Sequence, residues 1–474
     1  MINLRYTLRL LLPPALALLF VLLNPFALPA EVCKTLGVMA WMLAWWLMES
    51  VPMPVTALLP IVLFPLLGIT SMEETCKPYG DKFIFLFLGG FILALALEKT
   101  ALHRRFSLNL VLRTGTRPNQ IILGFMLSAY IISMWISNTA TTLMMFPIAL
   151  AVSELFNIGQ ESHQRPAQNF RILLFLGIAY ASSIGGMATL IGTPPNAAAA
   201  GILSETFNRP VGFAEFMTYG LPFSLILLLL SYFVLTRWIF PTHFETQHKS
   251  ADFIHQSLRE LGPTDRSSRV VLWVFALAIL LWLSEGSIRQ FWPSSQISDV
   301  WIAMAAGISL FLLPGNNDKP VLEWPDTQRL PWGILLMFGG GLALAQAFKT
   351  SGTLQMLIEA LQGLQHIPLA YFMIILSAVG ILLTAFMSNL AMVTLFVPVV
   401  AMLAQERGVD PLLFALPVTL SASCDFMFPM STPPNAIAFS SGYIKSTHML
   451  RAGLVLNLLS FLLLMGLIAV SLGL

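Results

Sequence analysis

Charge is scarce in this chain. Lysine, arginine, aspartate and glutamate together make up 10% of its 474 residues, where a soluble chain carries about a quarter. A soluble globular protein of this size is therefore excluded. The two signs nearly cancel, 25 basic against 23 acidic side chains and a net charge of +2, which leaves no basic surface for nucleic acid. Cysteine is almost absent. Cys33, Cys76 and Cys424 lie far apart, so they form neither a disulfide framework nor a thiolate metal site and read as free thiols. The seven histidines fall mostly in polar segments (His163, His243, His248, His255), with no pair at ligand spacing. Four polar stretches, 128–150, 180–200, 377–400 and 417–440, contain no lysine, arginine or histidine. A serine nucleophile needs a nearby base, so the serines of these stretches have no partner for hydrolytic chemistry. Neither an enzyme nor an organic cofactor is expected.

What the chain has in abundance is apolar sequence: 57% hydrophobic residues and a mean hydropathy of +0.79. The surplus is arranged in runs of about 20 residues, the length that crosses a bilayer. The expected class is an all-α polytopic membrane protein with about eleven spans, near 8–28, 34–51, 54–70, 82–99, 170–205, 218–240, 269–285, 298–314, 331–349, 410–440 and 452–472. The first run follows Arg5 and Arg9 but lacks a convincing small-x-small cleavage site, so it reads as a retained helix. Two further stretches, 119–156 and 368–404, are apolar but interrupted in the middle. Each reads as a re-entrant helical hairpin, since irregular backbone at membrane depth survives only when buried in protein or lining a polar cavity. Lys99, Arg104, Arg105, Arg113 and Arg117 cluster without an acid and mark a cytoplasmic segment. Lys249, Arg259 and Arg266 place the polar loop 241–268 on the same side, whereas 350–367 holds Glu359 and no lysine or arginine, which marks it as facing outside. Alternation then puts the N-terminus inside, the C-terminus outside, and the hairpins opening from opposite faces.

The two halves echo each other in order. "FLGGFILALALEKT" (87–100) matches "MFGGGLALAQAFKT" (337–350). "ISMWISNTATTLMMFPIAL" (132–150) matches "LTAFMSNLAMVTLFVPVVA" (383–401), setting Ser133, Ser137 and Asn138 over Thr384, Ser388 and Asn389. "GTPPNA" (192–197) matches "STPPNA" (431–436). Taken singly, each motif has a plainer reading: Gly-Gly as close helix packing, Ser-Asn-Thr as interhelical glue, Pro-Pro as a kink. Taken together, with opposite starting sides, they describe an inverted-topology repeat, in which sites form where broken helices meet near the midplane.

The breaks have usable chemistry. Proline lacks an N–H and disturbs the carbonyls one turn earlier, and the residue before it is pushed out of the helical region. Thr193 and Thr432 are therefore expected in unwound backbone, with freed carbonyls around Gly192 and Ser431. Ser133 and Ser137, four apart, are expected on one helix face beside Asn138, and Thr384, Ser388 and Asn389 repeat the set. Neutral oxygens of this kind suit an alkali cation at half-helix ends. With no basic residue nearby, an anion is held by half-helix N-termini, by bound cations, and by donors on Asn138, Thr139, Thr193, Asn389 and Thr432. Such a site binds its anion only after its cations, a physical basis for obligatory cotransport.

These residues resemble the divalent anion–sodium symporters, which carry C4–C6 carboxylates or sulfate. The family's marks are two Ser-Asn-Thr motifs at hairpin tips, here Ser137-Asn138-Thr139 and Ser388-Asn389-Leu390, and two Pro-rich breaks, here "GTPPN" (192–196) and "STPPN" (431–435). The match runs from "WWLMESVPMPVTALLP" (45–60) to "STPPNAIAFSSG" (431–442). The resemblance implies a homodimer in a bacterial inner membrane, importing a dicarboxylate with sodium by an elevator motion. It implies a scaffold of helices 1–4 with an arm (1–116) and helices 7–9 with a second arm (269–366). The transport domain would be 117–240 and 367–474, joined by a cytoplasmic linker at 241–268. It implies one sodium at Ser133, Ser137, Asn138 and Gly192, and a second at Thr384, Ser388, Asn389 and Ser431. Substrate would lie between Asn138, Thr139, Thr193, Asn389, Leu390 and Thr432.

Two residues depart from the expected pattern. Leu390 stands where the second motif usually has threonine, which removes one hydroxyl contact to the anion, worth about 1 kcal/mol. Asp425 sits inside the second broken helix, and an intramembrane carboxylate is a functional candidate by default, here for a further cation or a proton; its plainer role is to line a wet crevice. The alternatives are a sodium-independent dicarboxylate exchanger, which would need a fixed positive charge that the motif regions lack, and a symporter of sulfate or another anion on the same fold. A continuous channel fits two opposed half-sites less well.

Overall fold

A computed structural model describes the chain except residues 1–3, 49, 116, 156–163, 243–248, 293–295, 357–367, 385–387 and 473–474. The described residues are helical throughout their core. In order they form α1 (Leu4–Leu23), α2 (Ala30–Met48), α3 (Met53–Thr56), α4 (Leu59–Leu67), α5 (Met72–Cys76), α6 (Lys82–Lys99) and α7 (Leu102–Thr114). Then come α8 (Pro118–Ser133), α9 (Asn138–Leu155), α10 (Gln164–Gly186), α11 (Pro194–Phe207), α12 (Phe213–Val234), α13 (Lys249–Glu260) and α14 (Arg266–Phe291). The rest are α15 (Asp299–Leu312), α16 (Trp332–Thr350), α17 (Leu369–Thr384), α18 (Asn389–Glu406), α19 (Pro411–Ala422), α20 (Pro433–Phe439) and α21 (Ser446–Leu472).

These elements group into the expected spans and hairpins. Helices α8–α9 and α17–α18 are the two hairpins, and the tip residues 385–387 of the second lie outside the described residues. The runs 170–205 and 410–440 are each two helices separated by unwound chain, and 54–70 is also divided, into α3 and α4. The segment 100–116 forms helix α7; most of its counterpart at 350–366 falls outside the described residues. The polar loop 241–268 contains α13, a helix that the charge pattern hid. Its Ile254 is buried, and Leu258 and Leu261 pack on the core.

Glycine pairs bring helices together. An added Cβ at Gly89 would meet the Ala303 backbone at 2.5 Å, and one at Gly340 would meet the Ala57 carbonyl at 2.3 Å. These contacts seat α6 on α15 and α16 on α3, the close backbone approach that small residues permit in membranes.

The halves are exchanged in space. Helix α11, after the first Pro-Pro, packs against α18 of the second hairpin, while α20, after the second Pro-Pro, packs against α9 of the first. Each broken helix thus runs onto the opposite hairpin, as an inverted repeat requires. Outward faces of α1, α12, α14 and α21 expose leucine and other apolar side chains, among them Leu22, Leu229, Leu280 and Leu458, as lipid-facing helices must.

Candidate functional site

The first hairpin reverses over residues 134–137. Helix α8 ends at Ser133, and the Ser137 hydroxyl accepts the Ala140 N–H at 3.3 Å, capping α9. Ser133 and Ser137 therefore do not share a helix face, contrary to the spacing argument. A chain that must turn back within four residues cannot keep both on one helix, and Asn138 joins the two sides instead. Its Oδ1 accepts the Ser133 hydroxyl at 2.8 Å. In the second hairpin Thr384 donates to Asn389 Oδ1 at 3.0 Å and Ser388 accepts the Ala391 N–H at 3.2 Å. The serine cap and the contact to the asparagine oxygen thus recur in both hairpins.

The breaks are copied too. Thr193 and Thr432 are extended, at φ −145°, ψ 142° and φ −137°, ψ 151°, as the following prolines demand. What holds each unwound segment is the asparagine after Pro-Pro. Asn196 Nδ2 donates to the carbonyls of Gly186 (3.0 Å) and Thr189 (2.7 Å). Asn435 Nδ2 donates to the carbonyls of Asp425 (3.0 Å) and Phe428 (3.1 Å), and to Ser431 Oγ (3.2 Å). The two sets coincide when "GGMATLIGTPPN" (185–196) is laid over "CDFMFPMSTPPN" (424–435). Sequence reasoning quoted both asparagines without giving them a role; their recurrence at one offset after Pro-Pro was the available signal.

Each break is tied to a hairpin. The Thr189 hydroxyl donates to the Met134 carbonyl at the first tip, and the single proton of the Thr384 hydroxyl is shared between Asn389 Oδ1 and the Ala422 carbonyl at the second break. Across the halves, the Tyr180 hydroxyl on α10 donates to the Phe426 carbonyl at 2.9 Å. Gly186 makes room for Asn138: an added Cβ would lie 2.4 Å from Asn138 Oδ1. Here the halves part company, because the residue in register with Gly186 is Asp425.

The remaining sequence-selected residues fall as follows. Ser133 and Thr384 are fully buried, Gly192, Thr193 and Thr432 are buried, and Ser137, Asn138, Thr139, Ser388, Asn389 and Ser431 are half-buried. Leu390 is buried within the apolar core. Asp425 is buried. Among the described residues no group of three histidine, cysteine, aspartate or glutamate side chains is placed to hold a metal, so any cation here meets mainly neutral oxygen. A cleft of about 540 Å³ lies elsewhere, between α7, the first hairpin and α14, where it is lined by Arg105, Arg113, Ile132, Trp135 and Phe275.

Residues 5–472 match the profile of the family described as "Sodium:sulfate symporter transmembrane region". The chain is 37% identical over 458 residues to the sodium-dependent dicarboxylate transporter SdcS of Staphylococcus saprophyticus, covering 95% of this chain and 88% of that protein. It is 38% identical over the same length and coverage to SdcS of Staphylococcus aureus. Among solved structures it is similar to the YdaH transporter of Alcanivorax borkumensis, described as having an unusual topology, with a TM-score of 0.59 over 94% of this chain and 98% of that one. At 12% identity this last likeness concerns the fold alone.

Proposed function

Because the chain belongs to the sodium:sulfate symporter family, and so is a membrane transporter rather than an enzyme, we propose that it takes up a dicarboxylate of the succinate, malate and fumarate class, coupled to sodium. The observation that carries this reading is the doubled oxygen site in a region with no basic residue. An anion can enter such a site only when cations have supplied the positive charge. Two sodium ions are assigned, one to Ser133, Ser137, Asn138 and the Gly192 carbonyl, the other to Thr384, Ser388, Asn389 and Ser431. The pairing of Ser133 with Asn138 and of Thr384 with Asn389 supports this, since each brings two oxygens to one point. The anion is assigned to Asn138, Thr139, Thr193, Asn389 and Thr432, at the N-terminal ends of α9, α11, α18 and α20, whose dipoles favour negative charge. Leu390 borders that volume in this reading and narrows it.

The rest of the reading is an elevator. The hairpins with α10–α12 and α19–α21 would move against a scaffold of α1–α6 and α14–α16 in a homodimer of the bacterial cytoplasmic membrane, N-terminus inside and C-terminus outside. The reciprocal packing of α11 on α18 and α20 on α9 supports one moving body built from both halves. Uptake of labelled succinate into proteoliposomes, with and without a sodium gradient, is the test. Uptake that needs sodium and is competed by malate and fumarate is expected. Uptake indifferent to sodium, or dependent only on internal substrate, would replace symport by exchange. Competition by sulfate alone would move the assignment to the anion in the family's description.

A further inference from the structure

Asp425 lies three residues beyond α19, in the unwound chain between Ala422 and Pro433. Its side chain is 1% exposed; its polar neighbour is the Ser431 hydroxyl, whose proton is turned to the Phe428 carbonyl at 2.7 Å, so neither carboxylate oxygen receives a hydrogen bond among the described residues. Two more oxygens, one in the same loop and one in the first turn of α20, share that condition. Asn435 Oδ1 and Ser423 Oγ are buried and unpartnered. Asn435 cannot turn to offer its nitrogen, because Nδ2 is engaged by Asp425 O, Phe428 O and Ser431 Oγ. The group is therefore rich in acceptors and poor in donors.

No positive side chain answers it. The elements around this break are α10, through Tyr180; α17, through Thr384; α19 and α20; and α21, where an added Cβ at Gly453 would meet the Phe426 backbone. Helices α17, α19 and α20 carry no charged residue in 369–384, 411–422 and 433–439. On α10 and α21 the basic residues are Arg165, Arg171, His448 and Arg451. Arg165, His448 and Arg451 line a separate cleft, and Arg171 sits over the Tyr443 ring. None of the ion pairs among the described residues includes Asp425. Tyr180 and Cys424 are the titratable neighbours, and both are neutral in ordinary water. An ionised carboxylate withdrawn from water needs a compensating positive charge, and one carboxylate among neutral oxygens balances a single charge. A divalent cation calls for more carboxylates, and a transition metal for imidazole or thiolate.

We propose that Asp425 is the anionic ligand of a further sodium ion, held with Asn435 Oδ1 and Ser423 Oγ, in the second half of the repeat only. The first half has the same break, the same asparagine bonds and an equally unpartnered Asn196 Oδ1, but Gly186 stands in place of the carboxylate, so it has no anionic ligand. This rests on the sodium-coupled reading above and adds one ion to it.

The test is the substrate ratio at which net succinate flux stops in proteoliposomes held at zero membrane voltage under a tenfold sodium gradient. Each coupled sodium multiplies that ratio by about ten, so Asp425→Asn is expected to lower it about tenfold while uptake still needs sodium. An unchanged ratio overturns the proposal and leaves the coupling reading standing. A wild type that accumulates nothing under the gradient overturns both. A wild-type ratio that follows an imposed pH gradient, lost in Asp425→Asn, makes the occupant a proton and overturns the sodium assignment. The binding arm uses no transport: thermal unfolding of purified protein in sodium against potassium, without succinate. Asp425→Asn and Asp425→Ala are each expected to reduce the sodium-specific shift; shifts equal to wild type in both overturn the proposal.

Discussion

At the scale of single residues, two asparagines do work that their quiet neighbours conceal. Asn196 and Asn435 supply side-chain N–H groups to carbonyls of the unwound segments, so the carbonyls of residues 186, 189, 425 and 428 are paired inside the protein. Removing one leaves buried acceptors, at about 1–3 kcal/mol each. Asn196→Ala and Asn435→Ala are therefore expected to lower the unfolding temperature in detergent, with Asn196→Ala the more severe, because the Phe428 carbonyl keeps the Ser431 N–H and hydroxyl when Asn435 is lost. Gly186 has a different duty. A methyl there would strike Asn138, so Gly186→Ala is expected to raise the half-saturating sodium concentration for uptake by about tenfold, the cost of about 1.4 kcal/mol of lost binding. An unchanged sodium dependence would remove Asn138 from the ion site. Leu390→Thr is expected to alter the competition profile among dicarboxylates while keeping the need for sodium. Since Leu390 is buried in apolar surroundings, an unaltered profile would show that it serves the core alone.

At the scale of elements, the loops that end α11 and α18 are joined by one cation. Arg209 makes two-pronged contact with Asp410, at 2.8–3.1 Å, and reaches Glu215 at 2.7 Å. Asp410 in turn caps α19 through the Leu412 N–H. Burial raises the Asp410 pKa, but the bonds from Arg209 and Leu412 outweigh it and hold the carboxyl below its ordinary value. A group with a lowered folded pKa stabilises the protein in full above its unfolded pKa, about 3.9, and loses that contribution as pH falls toward the folded value. Wild-type unfolding temperature is expected to drop on acidification below about pH 4, and Arg209→Ala is expected to flatten the part due to Asp410. A thermal-shift series across that range checks it.

At the scale of the whole molecule, α11 is clasped at its C-terminal end by two helices assigned to the scaffold. Lys82, opening α6, donates to Ser204 Oγ at 2.8 Å and pairs with Glu205 at 3.1 Å; Lys349, near the end of α16, donates to the Thr206 carbonyl at 2.8 Å. The Lys82–Glu205 pair is half-exposed and of modest strength. If α11 travels against the scaffold, a thiol-specific cross-link between Thr206→Cys and Lys349→Cys, made after replacing the exposed Cys76, is expected to stop transport and to release it when reversed. Transport surviving a complete cross-link would exclude relative motion at this contact.

Class, span order and the repeat were legible in the chain because each is written in local pattern. Apolar run length sets what crosses a bilayer, and proline forces Thr193 and Thr432 out of the helix wherever the chain then goes. The doubled Ser-Asn and Pro-Pro-Asn motifs announced two matching breaks for the same reason. Helix α13 was hidden, since charge in 241–268 masked the buried stripe through Ile254 and Leu258. The placing of Ser133 and Ser137 on one helix face failed because spacing assumes that the helix continues, and reversal of the hairpin decides that it does not. Only tertiary structure decided which carbonyls Asn196 and Asn435 would hold, that Asn138 would rest against Gly186, and that Asp425 would be enclosed with no ion pair among the described residues. Those outcomes depend on contacts between segments tens to hundreds of residues apart, such as Tyr180 with Phe426. Periodicity and propensity describe neighbours along the chain, and these residues become neighbours only when the two halves close on each other.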